Sequence, residues 1–533
     1  MQRSRYIHLL ILGVICMLVI STLMITGCGA GKETNRQAFR YPLLDDPISL
    51  DPANFNEELG INVGKEIYDG LVDLDFEKLT VIPAHAEKWD VKENKVFTFY
   101  LRKGAKFHNG KEVTAEDFRY SFDRLLNPDT AATVAWILEG VKGAVERMEG
   151  KADNTEGIKV IDRYTLEITL EEPSPSFLSW LAHPGAAVVD RDTVEKAGVS
   201  LGSTGAGPDV IIGSGPFMLS EWVPKNQIRL SRNDEYYGQK AFLEQVEFRI
   251  IPDATTALNE FRAGNLDIVT GIPPGQIQSV EKEFPGQVIK NTLWEVKFFG
   301  FNLSREPFKD NVKLRRALNF AIDREGIINA VLEGDGVPAK GVLPPGMAEY
   351  NDDLKGYDYN PEKAISLLSE AGFPEGKGLP EVELAFNQHE TNQKIAEAVQ
   401  AQLKEVGFRT KLKGMPLPEY QREVGTGSLN VFWLSWIADS MDAGCILYPL
   451  FSSGGYGLFG YANQEVDTLL DRAKSAVDQD ERIRLYREAE KLIVDDSPAI
   501  WIFHPRRTYL KAGNISGFQA NPMDIIPMDK IQL

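Results

Sequence analysis

The chain is poor in the residues on which most active-site chemistry depends. Only 3 of its 533 residues are cysteine and 6 are histidine. The cysteines, at 16, 28 and 445, contain no Cys-x-x-Cys pair, which excludes a disulfide framework and the common thiol-redox and zinc motifs. The histidines (8, 85, 108, 183, 389 and 504) are scattered, and His389-Glu390 has no second His to complete a zincin helix, so neither metal nor cofactor is expected. No Gly-x-Ser-x-Gly elbow is present, because Gly213-Ser214-Gly215-Pro216 has its glycines at the wrong spacing. The run Gly372 to Lys377 is one residue short of a phosphate-binding loop, and Gly378 stands where a Ser or Thr must hold magnesium, so it reads as a turn. Positive charge is short as well: 58 Lys plus Arg against 77 Asp plus Glu leave a net charge of -19 with no long basic run. Phosphate neutralisation on the scale nucleic acid requires is thereby excluded. No period of 20 to 50 residues recurs, which removes repeat architectures.

What is present begins with a leader. Residues 9 to 26 carry no charge, are mostly Leu, Ile, Val and Met, and follow Arg3 and Arg5. About 18 apolar residues suit either a signal peptide or a short membrane span. The next four residues favour the former: Ile25-Thr26-Gly27-Cys28 resembles the bacterial lipobox, whose Cys receives diacylglycerol and becomes the new N-terminus. Cys28 is the expected lipidation site, with residues 1–27 as signal peptide and the small polar residues 28–38 as a flexible tether. The folded part is then expected outside the cytoplasmic membrane, anchored to it by lipid.

Beyond the tether, a chain this long with 43% hydrophobic residues calls for two or more lobes. Alternation over Val96–Leu101 and Tyr164–Leu170 predicts half-buried strands. Helices interleave with them. Thr114 with Asp117 predicts a capped helix whose apolar face is Phe118, Phe122 and Leu125, ended by Pro128. Asn360-Pro361 opens a second helix that stops at Gly372, and Thr391 opens a third with Ile395, Val399 and Leu403 on one face and Gly407 as its left-handed cap. Strand-like runs at Val382–Phe386 and Thr410–Leu412 follow these two, so the fold class is α/β.

One segment is unusual in composition. Phe432-Trp433-Leu434-Ser435-Trp436 reads equally as a core strand or as a ligand surface, and Asp439 and Asp442 follow it directly.

Ala86-Glu87-Lys88-Trp89, a strand, and then LRKGAKFHNGKEVTAEDFRYSF from Leu101 to Phe122 resemble the signature region of the peptide and nickel solute-binding proteins of ABC importers, the family that includes oligopeptide- and dipeptide-binding lipoproteins. The likeness continues through GSGPFMLSEW at 213–222, RNDEYYG at 232–238, LRRALNFAIDREGII at 314–328 and DYNPEKAISLLSEAGF at 358–373. It implies a two-lobed periplasmic-binding-protein-like clamp with an extra domain inserted in the first lobe. The implied division is lobe I at 39–72, 209–293 and 501–533, the inserted domain at 73–208, and lobe II at 294–500. The implied function is capture of peptides between the lobes and delivery to a membrane permease driven by its ATPase subunits, by a monomer that is not an enzyme. Nickel complexes or another small solute are the alternative within the family. A surface-anchored hydrolase is the rival of a different class, and it lacks a recognisable nucleophile–base pair.

The resemblance also implies a site. Peptide-binding relatives hold the ligand's α-ammonium with an Asp three residues after a Trp, here Trp436-Ile437-Ala438-Asp439. An enclosed ammonium needs such a partner, since an unpaired buried charge is costly. A helix N-cap is the other reading of Asp439, given Ala443, Ile446 and Leu447 after it. Where some relatives place basic residues for the peptide carboxylate, this chain has Trp433 and Asn392, the latter flanked by His389 and Lys394. Asp439, Trp436, Ile437, Trp433 and His389 are therefore the candidate ligand contacts, and the residue that meets a carboxylate is left open.

Overall fold

The computed structural model describes residues 38–273 and 275–533, so the leader and Cys28 lie outside the described residues. The helices expected from capping and periodicity form. In the helix Ala115–Leu125, Asp117 accepts hydrogen bonds from the backbone N–H and hydroxyl of Thr114 (2.9 and 2.7 Å), while Phe118, Phe122 and Leu125 are buried. The Asn360 side chain accepts from Lys363 N at 2.9 Å and opens the helix Pro361–Glu370. The helix Glu390–Glu405 buries Ile395, Val399 and Leu403, and it starts one residue before Thr391, with His389 at its N-cap making no side-chain capping bond. Gly407 after it has φ +90°, a conformation costly for any residue with a Cβ.

Among the described residues eighteen strands form four sheets. The first contains β1 (Ala38–Leu43), β8 (Phe217–Val223), β9 (Gln227–Arg232) and β10 (Gln245–Ile250) in the order β1-β10-β9-β8. A two-stranded ribbon joins β2 (Val72–Asp75) to β3 (Thr80–Pro83), and β4 (Ala86–Lys92), β5 (Val96–Leu101), β6 (Ile158–Asp162) and β7 (Thr165–Thr169) form an antiparallel sheet in the order β4-β5-β7-β6. The largest sheet holds β11 (Ile268–Thr270), β12 (Val288–Thr292), β13 (Glu295–Phe301), β14 (Gly336–Pro338), β15 (Val382–Asn387), β16 (Thr410–Met415), β17 (Val431–Ile437) and β18 (Ala499–Lys511). Its main path is β11-β18-β13-β17-β15-β16.

Cores follow the sheets, because each apolar face must be covered. Phe97, Phe99, Phe118, Phe122 and Phe177 pack together around β5 and β7, whereas Phe39, Phe217, Leu230 and Phe248 make the core of the first sheet. The two faces of β13 and β17 belong to separate cores: Phe298, Phe432 and Trp501 on one side, Phe299, Trp433 and Phe503 on the other. Strand β18 links bodies, since Ala499–Phe503 pairs with β13 while Arg506–Lys511 pairs with β12 and β11.

A buried cation fastens the largest core. Arg324 is 6% exposed and donates only to neutral oxygens, namely the carbonyls of Asn319, Ile322, Tyr357 and Trp501 and the Asn319 side chain, at 2.7–3.2 Å. Burial holds its pKa down to about 10. Arg324→Met leaves those carbonyls unsatisfied, an expected loss of about 3 kcal/mol, read as a lower urea midpoint. An unchanged midpoint would show that the site rehydrates without cost.

Candidate functional site

The Trp-rich segment is β17, and the loop after it carries Asp439. Ala438 N donates to Trp294 O at 2.8 Å, which sets the alternation of the antiparallel β13–β17 pair. Leu434 and Trp436 then bond to β13, and the backbone groups of Ser435 and Ile437 point the other way. On that other side β15 pairs with β17 only at Val431 and Phe432, so among the described residues no strand covers Ser435–Ile437 there.

Asp439 lies partly buried at the end of this strand. Burial alone lifts its carboxyl to about 6, and among the described residues no donor or basic side chain compensates it. It is not a helix cap. The helix begins at Gly444, and Asp442 accepts from Gly444 N at 2.9 Å. Trp436 donates its indole N–H to the Cys445 carbonyl (3.1 Å) and lies 5.8 Å from the Tyr456 ring at 49°. The Cys445 thiol is pushed up to about 12 by burial and by the neighbouring Asp439. Ile437 is 39% exposed and Tyr456 63%, so apolar surface remains open beside the carboxylate.

The other candidate residues do not join this cluster. Trp433 is 3% exposed, its ring 5.0 Å from Phe299 and 6.4 Å from Phe503, and its carbonyl accepts from the Tyr420 hydroxyl. It is a core residue whose ring backs Phe503. His389 is exposed and lines a cavity of about 460 Å³ with Lys297, Asn387, Asn392, Phe503 and Arg506. Lys297 pairs with Ser435 in the sheet register and with Glu295 in an ion pair of 3.0 Å. Glu333 and Asp335 line the same cavity, so its formal charges balance. Lys297, Arg506 and Tyr456 carry no sequence signal of this placement, because they reach the site through strand register and a loop.

A catalytic reading has little to stand on. The Nε2 of His85 lies 2.8 Å from Ser214 Oγ, but His85 is 1% exposed, Ser214 0%, and burial depresses the imidazole to about 3. A nucleophile needs access to substrate, and this pair has none. Among the described residues no three His, Cys, Asp or Glu side chains are grouped to hold a metal ion, and no helix is long and apolar enough to cross a membrane.

Residues 80–457 match the model of bacterial extracellular solute-binding proteins, family 5 middle region. The chain belongs to this family. This solute-binding protein is 32% identical over 503 residues, 92% of each chain, to the probable deoxycholate-binding periplasmic protein YgiS of Escherichia coli. It is 30% identical to the periplasmic oligopeptide-binding protein OppA of the same organism, covering 89% of each. The E. coli murein tripeptide binding protein MppA superposes with a TM-score of 0.80 at 29% identity, over 93% of this chain and 98% of that one. The fold is therefore the two-lobed α/β clamp of periplasmic binding proteins, and the protein binds solute without being an enzyme. Its Ser214–His85 pair is core structure.

Proposed function

We propose that this solute-binding protein captures peptides between its lobes, holds their α-ammonium on Asp439, and delivers them as a monomer to an ABC permease and its ATPase subunits. The observation that carries the reading is a partly buried carboxylate with no cation beside it among the described residues, at the end of a strand with an open edge. The carboxylate supplies the counter-charge an enclosed ammonium requires. Free backbone groups at Ser435 and Ile437 suit an extended peptide, which pairs by main-chain hydrogen bonds. The charge-balanced cavity beside His389 suits the peptide's polar remainder. A ligand whose only charge is a carboxylate meets Asp439 with the wrong sign, which weighs against a bile acid here.

The proposed division places lobe I at 39–72, 209–293 and 501–533, the inserted domain at 73–208 and lobe II at 294–500. Segregation of the sheets supports it: β4–β7 fall wholly within 73–208, and β13, β15, β16 and β17 within 294–500. Strand β18 begins at Ala499 and runs across the last boundary. Cys28 as a lipid anchor completes the proposal, placing the clamp on the outer side of the cytoplasmic membrane.

Titration of peptides by calorimetry at pH 7 and pH 5 tests the ammonium role. Only the ionised carboxylate attracts the ammonium, so affinity is full above the Asp439 pKa and falls as pH drops through about 6. At pH 5 roughly one carboxylate in eleven is ionised, so the dissociation constant is expected to rise about tenfold. A flat profile would move the ammonium elsewhere, and no binding of any peptide would refute the ligand class.

A further inference from the structure

The loop that presents Asp439 also touches the opposite body. Asp442, three residues on and 4% exposed, accepts a hydrogen bond at 2.8 Å from the hydroxyl of Ser176, which is 7% exposed. The two lie 266 residues apart in sequence. Ser176 is fixed to the body built on β4–β7, because Phe177 and Leu181 directly after it are buried in that core. Asp442 is fixed to the body built on β13–β17: its other oxygen, Oδ1, accepts from the Tyr486 hydroxyl (2.8 Å) and Gly444 N (2.9 Å), and Arg482 Nε lies 3.2 Å from Oδ2, the oxygen that also accepts from Ser176. Met441, between the two aspartates, packs against the cores of both bodies.

We propose that Ser176 and Asp442 form the latch of the clamp, with Asp442 as the positioning residue that couples the ligand loop to closure. The inference rests on the clamp reading but not on the ligand being a peptide. Tyr486, Gly444 and Arg482 hold the Asp442 carboxylate from within its own body, so of this loop's contacts the Ser176 bond and the Met441 packing are the ones that part when the bodies separate. A bond that exists only in the closed state slows opening more than it speeds encounter. Because Asp442 shares a loop with Asp439, displacement of one residue moves the other.

Two arms test this. Ser176→Ala is expected to speed release of a bound peptide about tenfold in stopped-flow measurements, with the association rate and the thermal midpoint of the unliganded protein unchanged. Unchanged release overturns the latch. In the second arm, Ser176→Cys with Asp442→Cys in a Cys445→Ser background is oxidised, and small-angle scattering compares the oxidised and reduced forms without ligand. The latch requires a disulfide and a smaller radius of gyration when oxidised. Equal radii would mean a permanent contact, and absence of the disulfide would mean that the positions do not meet; either overturns the proposal. This arm reads the latch even if wild type binds no peptide, a result that refutes only the proposed ligand, and the Ser176→Ala arm stands should the cysteine pair not fold.

Discussion

Asp439→Ala is expected to weaken peptide binding by roughly 2–5 kcal/mol, which is ~30-fold to several thousand-fold in dissociation constant. The size follows from enclosure, since an ammonium moved from water to a site without a counter-charge keeps its desolvation cost and gains nothing back. N-acetylation of the peptide removes the same charge from the other partner. It should therefore weaken wild type heavily and Asp439→Ala hardly at all, as a double-mutant cycle requires for two groups that act through one contact. Equal acetylation penalties in the two proteins would refute the assignment. Stability separates the ligand role from a structural one. The folded pKa of Asp439 is raised, so the native state binds more protons than the unfolded state between the ordinary carboxyl value of 3.8 and about 6, and stability falls as pH rises through that window. Above pH 6 the unpaired carboxylate is a net cost, so Asp439→Ala should not lower the thermal midpoint. The carboxylate that bonds the first N–H of the next helix is that of Asp442, from the residue before the N-cap Ala443, and its loss is the one that should destabilise the loop.

The second large effect concerns attachment. Cys28→Ala is expected to transfer the protein from the membrane to the soluble fraction while leaving it folded. Each buried methylene of an acyl chain contributes about 0.8 kcal/mol, and two chains anchor stably where one is marginal. Phase partition in detergent measures the change directly. Cys28 lies ahead of β1, which starts at Ala38, in the small polar segment proposed as a tether, so the circular dichroism of the variant should match wild type. Wild-type partition of the variant would mean that the apolar leader, kept uncleaved, is the anchor.

Much of the fold was legible because local order is written in local pattern. The capping pair at Thr114 and Asp117, the Asn360-Pro361 start and the glycine after Leu403-Lys404-Glu405-Val406 each act within one or two helical turns, and the structure reproduces them. The family was legible for a different reason, since long ordered motifs from 86 to 373 resemble its members and the family match spans 80–457. The site was legible only in part. Trp433 and Trp436 are equivalent in composition, yet one is core and the other lies beside Tyr456, because they sit on opposite faces of β17 and only the larger sheet decides which face is covered where.

By itself, then, the sequence determined the α/β class, the places of the capped helices, the family and the segment that carries Asp439, all of which depend on residue spacing within a short window or on extended likeness. The tertiary structure alone decided that Asp439 has no donor or cation beside it among the described residues, that Asp442 rather than Asp439 accepts from the first N–H of the following helix, and that Ser176 meets Asp442 across 266 residues. Partnering of buried charges is a property of what the fold brings near them, and strand register and lobe contacts, which are non-local, set that neighbourhood.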